Sequence, residues 1–411
     1  MVSRIPRAPS VVGLLLFASL AFAGGCSAAD RADGSTTSDT LTTADTAIVD
    51  DIIAPADTSR PDSTASDVVT VEDTAVRDTS QTDVDQAALT ALKDDPEWIV
   101  PGSVVARTAV AVAGTRVAWV EDPADSTPEL VVWDTGDPDA APAAYPVPNL
   151  THPRELALGD SFLVYVDDRY GDADLFAVDL RSGAESALVT RVGAQEHPAV
   201  VGDTLVWADC RACVNGDAGT GREVYRRTFG GPEEQVTSDD EADDHPALGT
   251  LAGGDLAVAW VSGGTRLRVV GGVTDASRDT GRAVAGVALT EGVLAFRAPP
   301  LIINPDSMRP SDVRLWDIAA DQVTDATFHA ELAPGMDGAP RAADGVIAWL
   351  DGVAGAPEQA RLSVVDAAGA QQLQASVDGA VTVAISGARV ALLAPRADND
   401  GLLDLWIREL P

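Results

Sequence analysis

The stretch that decides the fold is Leu-Gly-Asp-Ser-Phe-Leu-Val-Tyr-Val-Asp-Asp-Arg-Tyr-Gly-Asp-Ala-Asp-Leu-Phe-Ala-Val-Asp, residues 158–179. Two short runs rich in Val, Leu and aromatics are bounded by Gly and Asp. Runs of this length and composition, with turn residues on both sides, read as β-strands joined by tight connections. The unit recurs, with an aromatic anchor at Tyr165 in this stretch. Val-Ala-Gly-Thr-Arg-Val-Ala-Trp ends at Trp119, and Val-Gly-Asp-Thr-Leu-Val-Trp ends at Trp207. Gly-Gly-Asp-Leu-Ala-Val-Ala-Trp ends at Trp260, and looser copies end at Phe296, Trp349 and Leu392. Successive anchors lie 46, 42, 53, 36, 53 and 43 residues apart. A third strand follows in most copies and often ends in Asp, as at Asp134, Asp179, Asp317 and Asp366.

Four strands every 45 residues or so is the period of a propeller blade. A single blade is too small to cover its own apolar faces, and stacking around a ring covers them. The expected fold is therefore all-β: a seven-bladed β-propeller of four-stranded antiparallel blades over residues 97–411. The seventh copy stops on its third strand at Leu403-Asp404-Leu405-Trp406-Ile407, and an orphan apolar run, Trp98-Ile99-Val100, precedes the first copy. That run is expected to pair with the C-terminal blade as its outer strand. Such a clasp removes an open sheet edge and ties down both chain ends.

From His152-Pro153 to Leu180 the chain resembles the TolB-type propeller repeat, a relative of the tryptophan–aspartate propellers. The match is Pro, then Gly, an aromatic, Asp-Arg with Gly and Asp, and an apolar strand ending in Asp. The resemblance is strong in two blades and loose in five. It implies a binding scaffold of the bacterial envelope, but names no ligand, because this fold hosts many functions.

The N-terminal quarter is of another kind. Arg4 and Arg7 precede an apolar stretch from Val11 to Ala23, too short to span a bilayer as an ordinary helix. Ala23-Gly24-Gly25-Cys26 then resembles the bacterial lipobox, although that family usually carries Leu where this chain has Ala23. The resemblance implies a lipoprotein signal peptide at 1–25, lipidation of Cys26 and, with Ser27 following, sorting to the outer membrane. The alternative is an ordinary secretory signal with Cys26 unmodified. Residues 26–96 form a Ser/Thr/Asp-rich linker whose composition cannot bury enough surface to offset its ordering entropy, so a disordered acidic tether is expected.

With 64 acidic and 28 basic residues the formal charge is −36. Phosphate binding needs clustered Lys and Arg, and Lys93 is the only lysine, so nucleic acid is excluded as a partner. The expected partner is an envelope protein or a glycan, with membrane attachment only through the lipid and the domain acting as a monomer. Apart from Cys26, only Cys210 and Cys213 are present, in Cys-Arg-Ala-Cys. An exported chain meets an oxidising compartment, and a local disulfide closing a hairpin loop is expected; a redox pair lacks the βαβ context.

Three His-Pro pairs, His152-Pro153, His197-Pro198 and His245-Pro246, are read as holding matching repeat positions at the start of innermost strands. Adjacent blades would bring their imidazoles toward one axis, and imidazole is a good transition-metal ligand. Glu196, Asp243 and Asp244 are placed to orient the rings. The plainer reading is a local choice in which Pro holds the preceding residue extended. Asp168–Asp174 and Asp398-Asn399-Asp400-Gly401 superficially resemble calcium loops but lack the EF-hand spacing, and Asp, Asn and Gly suit hairpin turns for their own backbone reasons. No nucleophile elbow, phosphate loop or zinc-protease motif is present. The expectation is thus a non-enzymatic binding scaffold with no cofactor. The alternative is a metal-dependent, polysaccharide lyase-like enzyme using His152, His197 and His245.

Overall fold

The computed structural model describes residues 98–100, 106–123, 127–137, 141–213, 219–299, 301–304, 307–309, 312–327, 336–353, 356–377, 379–395 and 402–410. The signal peptide, Cys26 and the linker lie outside these residues. Among the described residues every regular element is a strand.

The strands form seven four-stranded antiparallel blades, each ordered from its innermost to its outermost strand. Blade one is Ala106–Ala113, Arg116–Asp122, Glu129–Asp134 and Ala143–Tyr145. Blade two is Arg154–Leu158, Phe162–Asp167, Asp174–Asp179 and Glu185–Val189. Blade three is Gln195–Val201, Thr204–Asp209, Glu223–Thr228 and Glu234–Gln235. Blade four is Asp243–Thr250, Leu256–Ser262, Arg266–Gly271 and Thr274–Asp279. Blade five is Val287–Thr290, Val293–Ala298, Asp312–Asp317 and Gln322–Asp325, with a hairpin, Leu301–Asn304 and Ser307–Arg309, between its second and third strands. Blade six is Arg341–Ala343, Val346–Val353, Ala356–Asp366 and Gln371–Ser376. Blade seven is Thr382–Ser386, Arg389–Pro395, Leu403–Glu409 and, as its outer strand, Trp98–Val100. The clasp runs in the register Trp98↔Ile407, Ile99↔Trp406, Val100↔Leu405. The inner strands neighbour one another in order around a closed ring, blade seven beside blade one. The long anchor spacing before Trp349 is explained by the extra hairpin of blade five.

The core is divided among the seven blade interfaces, one apolar cluster to each. All seven anchors are buried, and each packs against the preceding blade. Trp119 meets Ala391, Leu393 and Ile407 of blade seven, Tyr165 meets blade one, and Trp207 meets Val164 and Leu175 of blade two. Side chains alternate across a strand, so the residue before each anchor faces the following blade. Those residues are Ala118, Val164, Val206, Ala259, Ala295, Ala348 and Ala391. A large side chain on one face thus meets a small one on its neighbour at every interface. Three of the tryptophans also satisfy the indole N–H locally: Trp119 donates to Glu121 (3.0 Å), Trp207 to Asp209 (2.9 Å) and Trp349 to Asp351 (2.5 Å). Each carboxylate is two residues on, hence on the same strand face. The Asp at the end of the third strand caps the following turn: Asp179 Oδ1 accepts from the N–H of Ser182, and Asp317 Oδ1 from that of Ala320.

Candidate functional site at one end of blades two to four

Pairing between the first and second strands slips in blades one to four, and in blades two, three and four a left-handed residue at the slip fixes the site. Pairing resumes at Ala157↔Val164, Ala199↔Val206 and Ala247↔Ala259. Two residues before each resumption lie Glu155, His197 and His245, with φ of 52°, 55° and 50°. These are β-bulges, which insert a residue and re-aim a side chain. The expectation that Pro keeps each His extended is therefore not met at His197 or His245; both take the left-handed region, which costs about 1–3 kcal/mol per non-glycine residue. The matching position in blade two is Glu155, three residues beyond His152. His152 sits outside the bulge, its side chain largely exposed, with Nδ1 3.1 Å from Asp168 Oδ1.

The structure brings His197 and His245 together, with ring centroids 4.3 Å apart and the rings tilted by 33°. Asp244 organises them. Its Oδ1 lies 2.7 Å from His197 Nδ1 and accepts the backbone N–H of His245 at 2.7 Å, while Oδ2 accepts from Arg222 at 2.7 Å. The backbone N–H of His197 donates to Glu155 Oε2 at 2.6 Å, across the blade boundary. Arg222 also donates to Glu196 at 3.0 Å, and Arg154 reaches the same carboxylate at 3.5 Å. Asp243, also expected beside the rings, is instead fully buried.

The electrostatics separate the two imidazoles. Burial works against a charged His197, but the hydrogen bond and charge of Asp244, then Glu155 and Glu196, outweigh it and raise its pKa. Burial would raise the Asp244 pKa, yet His197, His245 and Arg222 hold it far below the usual carboxylate range. Burial and then the His197 charge lower the His245 pKa, against the pull of Asp244. The two imidazoles are thus shifted in opposite directions, His197 toward its charged form and His245 toward its neutral form.

Comparison with known proteins reaches the architecture. No protein-family model and no curated protein matches the chain. Among solved structures, the β-propeller domain of the Trilobed protease from Pyrococcus furiosus is 10% identical, with a TM-score of 0.50, covering 75% of this chain and 98% of that one. TolB from Acinetobacter baumannii is 15% identical, with a TM-score of 0.41, over 64% of this chain and 68% of its own. A prolyl endopeptidase is 12% identical, with a TM-score of 0.48, and the chain spans about half of it (52%). The likeness is one of fold. The propeller expected from the TolB-type resemblance is the architecture present. The Pyrococcus domain is described as having an open velcro topology, whereas this ring is clasped by Trp98–Val100.

The loops around the histidines belong to the same end of the ring. Each links a blade's second and third strands, or one blade's last strand to the next blade's first. The Asp168–Asp174 segment is such a hairpin. Asp167 Oδ1 accepts the N–H of Arg169 and Oδ2 that of Thr151, and Asp172 Oδ2 accepts the N–H of Gly193. Within the run, Asp168 pairs instead with His152 and Arg154, and Asp174 is buried. In blade three, Cys210 and Cys213 are joined as a disulfide with Cα atoms 4.9 Å apart. Gly193, at φ 89°, lies against the Cys210 carbonyl where a Cβ would collide, so the two loops seat on each other. Beside them two apolar side chains stand in solvent, Tyr170 at 69% exposure and Val192 at 87%. The second calcium-like run, Asp398–Gly401, lies outside the described residues. Two open grooves occur at the opposite end, between blades one and two and between blades two and three, away from the histidines.

Sequence reasoning missed Glu155, Arg154 and Arg222. A partial signal for Glu155 was present: it and His197 each stand ten residues before their blade's anchor, although His245 stands fifteen before Trp260 and His152 thirteen before Tyr165. Arg222 carried no such signal, because it lies at the far side of a long loop.

Proposed function

We propose that this chain is a lipid-anchored protein of the bacterial cell envelope. Its propeller, as a monomer, offers the end bearing the histidines to a protein or glycan partner without catalysing a reaction. The supporting observation is the pairing of Tyr170 and Val192, exposed and apolar, with the polar cradle of Arg154, Glu155, Glu196, His197, Arg222 and Asp244 at the same end. An apolar anchor beside oriented polar groups is the anatomy of a recognition surface. An exposed tyrosine serves a protein pocket or a sugar face equally well. The ring beneath is rigid and clasped, so little ordering cost falls on binding. The charge of −36 favours a partner bearing positive charge.

Site-specific photocrosslinking in intact cells tests the surface. A photoreactive phenylalanine at Tyr170 is expected to capture one discrete protein or glycan species, and the same probe at Val273, exposed at the opposite end, is expected not to. Equal or absent products at both positions would reject this surface. The anchor has its own test: mass spectrometry of the mature N-terminus should show an acylated Cys26, and Cys26→Ser should release the protein from the membrane fraction.

A further inference from the structure

We propose that His197, Asp244 and His245 form a binding site for a divalent transition-metal ion, with Zn2+ as the reference ion. One ligand-type atom from each of the three lies within 4.8 Å of those of the other two. Two imidazoles and a carboxylate make the mixed nitrogen and oxygen set that suits Zn2+ and its neighbours and not Ca2+ or Mg2+. The residues come from adjacent blades, so the set exists only because the ring brings residues 197 and 244 together.

Two further observations favour an ion here. Both histidines sit on bulges in the left-handed region, so the chain departs twice from ordinary strand geometry to bring these rings side by side. The His245 ring makes no hydrogen bond to any described residue, although it is partly buried, and its nitrogens are free to coordinate. The local charge does not repel a cation: the carboxylates of Glu155, Glu196 and Asp244 balance the guanidiniums of Arg154, Arg222 and Arg341, the last two of which act on His245. Arg222 occupies Asp244 Oδ2 and leaves Oδ1 turned toward His197.

Coordination to Zn2+ needs metal–ligand distances of about 2.0–2.2 Å, hence donors about 3.4 Å apart in a tetrahedron, so on loading the hydrogen-bonded pair His197 Nδ1–Asp244 Oδ1, now 2.7 Å apart, must open and any wider donor pair must close. His197 Nδ1 and Asp244 Oδ1 are hydrogen-bonded at 2.7 Å, and an ion bound between them would replace that hydrogen bond. Three protein ligands leave at least one coordination position open, as in sites that meet a further ligand.

Untagged full-length protein, stripped with chelator, should bind one equivalent of Zn2+ in isothermal titration at 0.15 M salt, with a micromolar or tighter Kd. Cu2+ loaded into the same protein should show superhyperfine coupling to two imidazole nitrogens by electron paramagnetic resonance. That readout uses the unaltered chain and stands even if a variant folds poorly. His197→Gln and His245→Gln should each weaken Zn2+ binding at least about tenfold, while His152→Gln leaves it unchanged. The proposal is overturned by any of three results: no saturable binding at about 100 μM Zn2+, a Cu2+ spectrum without two nitrogens, or equal loss of affinity from His152→Gln, which would indicate cation uptake by the acidic surface at large.

Discussion

At the residue scale, the tryptophans of the second strands carry the packing, and three of their indole nitrogens bond to the carboxylate two positions on. Trp207 is fully buried between blades two and three, and its N–H is satisfied by Asp209. Trp207→Ala is expected to lower unfolding free energy by about 3–5 kcal/mol, the usual cost of a large core truncation, readable in a denaturant titration. Asp174 has a different consequence. Burial first, then the charges of Asp172 and Asp167, push its pKa up to about 6 from 3.8, against the attraction of Arg169. Its ionisation is harder in the folded state than in the unfolded one. The associated stability is therefore present at low pH and declines as pH rises from about 4 through 6. Asp174→Asn should flatten that decline, by about 1–2 kcal/mol after allowance for solvent screening. The check is the difference in Tm between the two proteins from pH 4 to 7.

At the scale of elements, an inner strand with a bulge does what a regular strand cannot. It turns Glu155, His197 and His245 out of the pleat, and their backbones and carboxylates then bond across blade boundaries. The disulfide works at the same end. It closes a very short loop, so the chain-entropy gain is small, about 2 kcal/mol. Cys210→Ser with Cys213→Ser is expected to cost that much in thermal unfolding and to leave the strand content by circular dichroism unchanged, because blade three is held by its own ladder. The same variant should make the 210–222 loop the first site cut in limited proteolysis.

At the scale of the whole molecule, seven interfaces each join a large anchor to a small neighbour, and the last is made by the two ends of the chain. Trp98–Val100 supplies the outer strand of the C-terminal blade. Replacing these three residues by Gly-Ser-Gly should remove two or three ladder hydrogen bonds and cost about 2–3 kcal/mol. Hydrogen exchange should show the loss first in Leu403–Glu409. Protection spread evenly around the ring, with no preferential loss in that strand, would mean the clasp does not hold the ring together.

The architecture was legible in the sequence because it repeats. The aromatic at six of the seven anchors, the smaller residue before it and, in four blades, the Asp ending the third strand recur with the blade, and each acts on its own strand or on the adjacent blade. The orphan Trp98-Ile99-Val100 could be assigned because the seventh copy stops on its third strand and the run precedes the first copy. The site was legible in part. His197 and His245 were visible as His-Pro pairs, but His152 shares their dipeptide and not their position, and Glu155 shares their position and not their dipeptide. A bulge changes facing and register without a reliable mark in composition, and the contacts that matter join residues 42 and 47 apart, Glu155 to His197 and His197 to Asp244. Period and side-chain size are local properties, so the chain determined by itself that it would form a clasped ring of seven. Which polar groups face one another at its end depends on how neighbouring blades are set against each other, and only the closed tertiary structure decided that.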